Sequence, residues 1–141
     1  MAVSARDTVS MLEEVPLFAG CSKRDLQAVA ASLKEVERPQ GAVIAKEGDT
    51  GLGFFLIVDG TANVSVGGKA RGKLGPKDFF GEISLLDHGP RTATVTAASK
   101  IHLLGLTAWA FRSLVEAHPK IALNMLKVVA GRLRTASDAV S

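Results

Sequence analysis

The spacing of apolar residues changes twice along the chain, from a helical rhythm to an alternating one and back. Met11, Leu12 and Val15 mark a short helix over Ser10–Leu17, with Ser10 as its cap. Leu17-Phe18-Ala19-Gly20-Cys21 reads as a turn that plugs into the core. Ser22 opens a better helix. Asp25 completes a capping box there, in place of the usual Glu. Leu26, Val29, Ala30 and Leu33 recur at helical spacing, and this helix is expected to end near Ser32.

From Leu33 to about Leu106 the texture is that of strands and turns. Pro39-Gln40-Gly41 turns the chain into a strand at Ala42-Val43-Ile44-Ala45. Glu47 to Gly51 is a second turn. Phe54-Phe55-Leu56-Ile57-Val58 reads as a buried strand, closed by Asp59-Gly60. Thr61 to Val66 alternates, with Ala62, Val64 and Val66 on one face. Gly67-Gly68 is a hairpin signal, and Lys69 to Leu74 returns. Val95 to Leu106 supplies two further strands, broken near Ala98-Ser99-Lys100.

The helical rhythm then resumes. Thr107 caps Ala108–Ala117, with Trp109, Phe111, Leu114 and Val115 as apolar positions and Trp109 expected in the core. Pro119 suits the first turn of a last helix over 119–136. Lys127, Arg132 and Arg134 stand late in it, where cations complement the helix dipole. These patterns predict an α+β fold, mainly β. It is a jelly-roll-like β-roll of about eight strands, with N-terminal helices and two C-terminal helices.

Composition narrows the picture. A chain of 141 residues with 47% hydrophobic content fits one domain, drawn here over 10–136 between flexible ends at 1–9 and 137–141. Its parts are helices at 10–32, the β-roll at 33–106 and helices at 107–136. The net charge of +3 is too mild for a nucleic-acid tail. A single cysteine, Cys21, excludes an intrachain disulfide. No apolar run approaches the roughly 18 residues of a membrane span. The first residues carry no signal-peptide pattern, so a cytoplasmic location is expected. His88, His102 and His118 show no metal-ligand spacing, and no metal is expected.

The chemistry concentrates at 79–95. Gly81 permits a sharp turn and a close approach of backbone to a ligand. Glu82, Ile83, Ser84, Leu85 and Leu86 make a turn or two of helix, whose leading amides favour an anion. Gly89-Pro90 ends it. Arg91 offers a rigid fork that grips two phosphate oxygens, and Thr92 adds a hydroxyl. A carboxylate beside a phosphate site has a reason if it accepts a hydrogen bond from a sugar hydroxyl. That assigns Glu82 to a ribose. Ser84 lacks the second glycine of a G-x-S-x-G nucleophile turn, and no catalytic residue is expected.

Phe80-Gly81-Glu82-Ile83-Ser84-Leu85-Leu86, then Asp87-His88-Gly89-Pro90-Arg91-Thr92-Ala93-Thr94-Val95, resembles the phosphate-binding cassette of cyclic nucleotide-binding domains. The order of helices, strands and helices over about residues 10–136 is similar to that family as well. The resemblance implies a regulatory binding domain, not an enzyme. Its ligand would be cAMP, with cGMP as the alternative that Thr92 permits. Gly81, Glu82, Ile83, Ser84, Arg91 and Thr92 would bind the sugar phosphate. Val64, Leu74, Phe80, Leu133, Arg132 and Arg134 are candidates for the base and the lid. The resemblance further implies a last helix that moves over the nucleotide, an effector protein or domain as partner, and a homodimer through that helix. No cofactor, no membrane insertion and no direct nucleic-acid contact is expected. A catabolite-activator-type regulator would add a helix-turn-helix to such a domain. A cupin-like enzyme and a scaffold that kept only the fold are the remaining alternatives.

Overall fold

The computed structural model describes residues 5–49, 53–81 and 91–140. Helix α1 (Ala5–Glu13), a 3-10 turn (Pro16–Phe18) and helix α2 (Lys23–Ser32) precede the strands. Strands β1 (Lys34–Arg38), β2 (Val43–Ala45), β3 (Gly53–Asp59), β4 (Ala62–Val66), β5 (Lys69–Leu74), β6 (Phe79–Phe80), β7 (Thr94–Ala97) and β8 (Ile101–Thr107) follow. Helices α3 (Ala108–Ala117) and α4 (Pro119–Val140) close the chain. The strands form two four-stranded sheets, ordered β1-β8-β3-β6 and β2-β7-β4-β5. Every pairing is antiparallel. This is the mainly β roll that the alternation predicts.

The β3 run explains how three layers stack. Phe54 and Leu56 belong to the core shared with the helices, whereas Ile57 belongs to the core between the sheets. Leu104 and Leu106 of β8 join the first core, and Ile101 and Leu103 join the second. Strands covered on both faces lose the polar alternation of a half-exposed sheet. Gly67 and Gly68 both take positive φ, +59° and +80°, as a tight hairpin between β4 and β5 requires.

The N-terminal helices follow their caps. Ser22 Oγ accepts the Asp25 N–H (3.1 Å) and Asp25 Oδ2 accepts the Ser22 N–H (3.4 Å), the reciprocal pair expected of that motif. The first helix departs from expectation. It begins at Ala5 and stops at Glu13, so Ser10 lies inside it and is not its cap. Thr8 and Val9, drawn in a flexible end, are buried. Pro16 explains the early stop, since proline biases the residue before it away from α and the chain resumes as a 3-10 turn. The last helix continues past residue 136 to Val140.

Trp109 also departs from expectation: it is 80% exposed. Helix α3 buries Phe111 and Leu114. A residue two positions before Phe111 stands about 200° away around the helix, on the opposite side. The apolar count was right for the helix, but only one stripe of it meets the core.

Phe54→Ala should destabilise the fold by about 3–5 kcal/mol, and Trp109→Ala should change stability by less than about 0.5 kcal/mol, both read from urea denaturation. A large loss at Trp109 would contradict the exposed placement.

Candidate functional site

Arg91 is positioned by its backbone before its side chain does anything. Its N–H donates to the Asp49 carbonyl (2.8 Å), and its own carbonyl accepts the Gly48 N–H (2.9 Å). The turn after β2 thus grips the residue from both sides. Glu47 ties that turn to its surroundings. Its N–H donates to Thr94 Oγ1 (3.0 Å), and its carboxylate accepts the Gly67 N–H (2.9 Å) at the β4–β5 hairpin. Turn, hairpin and the entry to β7 therefore act as one support.

The Arg91 side chain turns inward and is 9% exposed. Its Nη1 is buried and has no hydrogen-bond partner among the described residues. Burial lowers its pKa from the usual value. A guanidinium starts so high that it stays charged at neutral pH. A buried charge with an open donor is costly unless something fills it. An acceptor oxygen is the group that fits.

Gly81 lets the chain pass this charge. Its φ is +97°, and a Cβ there would meet the Gly53 carbonyl oxygen and come within 2.7 Å of Arg91 Nη1. Only glycine allows that conformation and that approach without displacement. Together they border a cavity of about 310 Å³, within the size range of small-molecule sites. Val64, Leu74 and Val95 give it an apolar wall, and Thr92 lines it as well.

Helix α4 reaches the cavity through Arg132. This guanidinium donates to the Phe79 carbonyl (2.9 Å) and lies 4.7 Å from the centroid of the Phe79 ring, a cation–π arrangement. Burial lowers its pKa, and Asp78 opposes that shift. Phe79 in turn lies 5.3 Å from Phe54, which stacks on Phe111 of α3 at 6.1 Å. One row of rings thus runs from the cavity wall to the C-terminal helices.

Of the residues singled out in the sequence, Gly81, Arg91, Thr92, Val64, Leu74, Phe80 and Arg132 line this one cavity. Glu82, Ile83 and Ser84, with the short helix expected there, lie outside the described residues. Leu133 and Arg134 do not line it. Leu133 is 66% exposed and Arg134 is exposed on the surface of α4. Arg132 alone among the late cations engages the wall. Sequence reasoning missed Glu47 as a brace and Phe79 as the platform for Arg132. The Glu47-Gly48-Asp49 turn was visible, but its partners lie far along the chain. Among the described residues no group of three His, Cys, Asp or Glu side chains is placed to hold a metal ion. No described helix is long and apolar enough to cross a membrane.

Residues 35–118 match the family model described as a cyclic nucleotide-binding domain. The chain belongs to that family. It is 30% identical over 135 residues to a CRP-like cAMP-activated global transcriptional regulator of Mycobacterium tuberculosis, covering 91% of this chain and 59% of that protein. It is 34% identical over 129 residues to a cyclic nucleotide-gated potassium channel of Mesorhizobium japonicum, covering 92% of this chain and 36% of the channel. The crystal structure of the Thermus thermophilus catabolite activator protein superposes with a TM-score of 0.81 at 32% identity, over 89% of this chain and 61% of that one. These relatives are regulatory or gated proteins, and the chain spans well under two thirds of the length of the two curated ones.

The family supplies a ligand class that suits the buried charge. Arg91→Met should leave the melting temperature without nucleotide equal or higher, because it removes a buried charge whose Nη1 has no partner among the described residues. The same variant should lose nearly all stabilisation by added cyclic nucleotide, a drop in affinity of about 100-fold or more. Thermal melts with and without nucleotide test both halves.

Proposed function

We propose that this domain is a sensor of cyclic nucleotide, cAMP in preference to cGMP, with no catalysis of its own. The observation that carries the reading is the buried, open Nη1 of Arg91 beside Gly81 at the edge of an apolar cavity. A cyclic nucleotide offers one anionic phosphate and one flat base, and the cavity offers the buried Arg91 guanidinium, an apolar wall and Arg132 reaching in from α4. Arg91 neutralises the phosphate, and Thr92 assists. Gly81 and the amides of Ile83 and Ser84 approach it. Glu82 accepts the ribose 2′-hydroxyl. Val64, Leu74 and Phe80 receive the base, and Arg132 covers it from α4. The preference for cAMP draws on the relative named as cAMP-activated. Thr92 is the residue through which cGMP would compete.

Ligand contacts that differ between two positions of α3 and α4 would shift those helices, and an effector protein or domain would read the shift. On α4, Leu123, Leu126 and Leu133 are 49%, 64% and 66% exposed. Their spacing, with Ala130 between, is that of a coiled-coil seam, and it suits a second copy of this helix. The domain works in the cytoplasm in this reading and touches no nucleic acid directly. A second reading, the ligand-binding part of a catabolite-activator-type transcription regulator, is supported by the greater length of the Mycobacterium relative.

Calorimetric titration should give micromolar or tighter binding of cAMP, with cGMP weaker by about ten-fold, or about 1.4 kcal/mol. Tighter cGMP binding would reverse the preference, and no binding of either would end the sensor reading. Light scattering should give a dimer mass for the unaltered chain and a monomer mass for Leu126→Lys. A monomer mass for both would remove the seam.

A further inference from the structure

The apolar wall of the cavity is the inner face of one sheet. Ala45 of β2, Val95 of β7, Val64 of β4 and Leu74 of β5 each give it one side chain. Ladder rungs set the spacing within that wall: Ala45 stands opposite Val95, and Val95 opposite Val64. Toward Arg91 the regular ladder stops. The last rung there between β4 and β7 is Ser65 opposite Thr94, and Arg91 lies three residues before Thr94. The place of the cation relative to the wall is therefore set by bonds outside the ladder.

Glu47 supplies bonds of that kind. It stands two residues after β2. Its backbone N–H donates to Thr94 Oγ1 (3.0 Å), on the first residue of β7. Its Oε1 accepts the Gly67 N–H (2.9 Å) at the tip of the β4–β5 hairpin. The sheet order is β2-β7-β4-β5, so this one residue joins the β2 edge to β7 and to the far pair of strands. Gly48 and Asp49 follow at once, and they hold the Arg91 backbone on both sides. The turn is closed by the Asp49 N–H, which donates to the Lys46 carbonyl (3.1 Å), with Gly48 at φ +86°. In a turn this tight, whatever fixes Glu47 also fixes Arg91.

Charge argues against a direct contact of this carboxylate with an anion. Like charges repel, so on electrostatics alone removing Glu47 would strengthen the binding of a phosphate at Arg91. A geometric role predicts the opposite sign.

We propose that Glu47 is a positioning residue for ligand binding: a strut that holds Arg91 at a set distance from the β4–β5 half of the wall, so that cation and wall meet one ligand together. The proposal rests on the cyclic-nucleotide reading for its ligand and on the Glu47 bonds for its geometry. What matters in the side chain is an acceptor oxygen at the right reach. Gln keeps both, Asp keeps the charge but is one methylene shorter, and Ala keeps neither.

The test is cAMP affinity by calorimetry for the unaltered chain, Glu47→Gln, Glu47→Asp and Glu47→Ala. Glu47→Ala and Glu47→Asp should bind about five-fold more weakly, and Glu47→Gln should stay within about two-fold of the unaltered chain. Equal or tighter binding by Glu47→Ala is the electrostatic result and overturns the proposal. A Glu47→Gln that weakens as far as Glu47→Ala overturns it too. Residue-resolved amide hydrogen exchange without nucleotide reads the strut itself. In Glu47→Ala, exchange should quicken at Gly48 and Arg91 as well as at Gly67, with the amides of β3 unchanged, and Glu47→Gln should keep all three protected. Faster exchange at Gly67 alone, or a general loss of protection that reaches β3, refutes the strut. If the unaltered chain binds no cAMP, the cyclic-nucleotide reading falls, and the exchange at Arg91 decides the strut by itself.

Discussion

A guanidinium held inside a β-roll, with no acceptor among the described residues for one of its donors, is the constraint around which this molecule is arranged. Arg91 Nη1 is buried and open among the described residues. Such a group persists only if the rest of the fold holds it there. Here the hold is made of backbone: the turn at Gly48 and Asp49 clasps Arg91 on both sides, and Glu47 ties that turn to the hairpin and to Thr94. Gly81 completes the arrangement by having no side chain. Two well-packed cores, one between the sheets and one beneath the helices, supply the stability that this placement draws on.

The C-terminal helices are joined to that charge by mechanics more than by chemistry. The Phe79, Phe54 and Phe111 rings form a rigid row from the cavity to α3. Arg132 lays α4 across Phe79. The base of α4 is fixed by Ile121, Met125 and Asn124 against the N-terminal turn. A helix anchored at one end and touching a ligand cavity near the other converts small angular changes into displacement. In the function we propose, this is the route from pocket to surface.

Much of this was legible in the sequence because it is local. The capping box at Ser22 and Asp25, the Gly67-Gly68 hairpin and the buried β3 run each depend on neighbours a few residues away. What was not legible depends on docking. Trp109 and Phe111 are both aromatic on one short helix, and only the angle at which α3 meets the sheet decides that Phe111 is buried and Trp109 exposed. The same holds for Arg132 against Arg134, since a helix turns about 200° between them and only one reaches the wall. Ser10 looked like a cap because capping residues are common before apolar runs, yet α1 had already started at Ala5 to bury Thr8 and Val9. Glu47 gave no local sign of its role, because Gly67 and Thr94 come near it only in the folded chain.

The most direct measurement is a crystal structure of the domain with cAMP bound. The account predicts the phosphate within hydrogen-bond distance of Arg91 Nη1, the backbone of Gly81 close beside it, and the base against Val64 and Leu74. A nucleotide seated elsewhere, or an Arg91 side chain turned away from the phosphate, would contradict it.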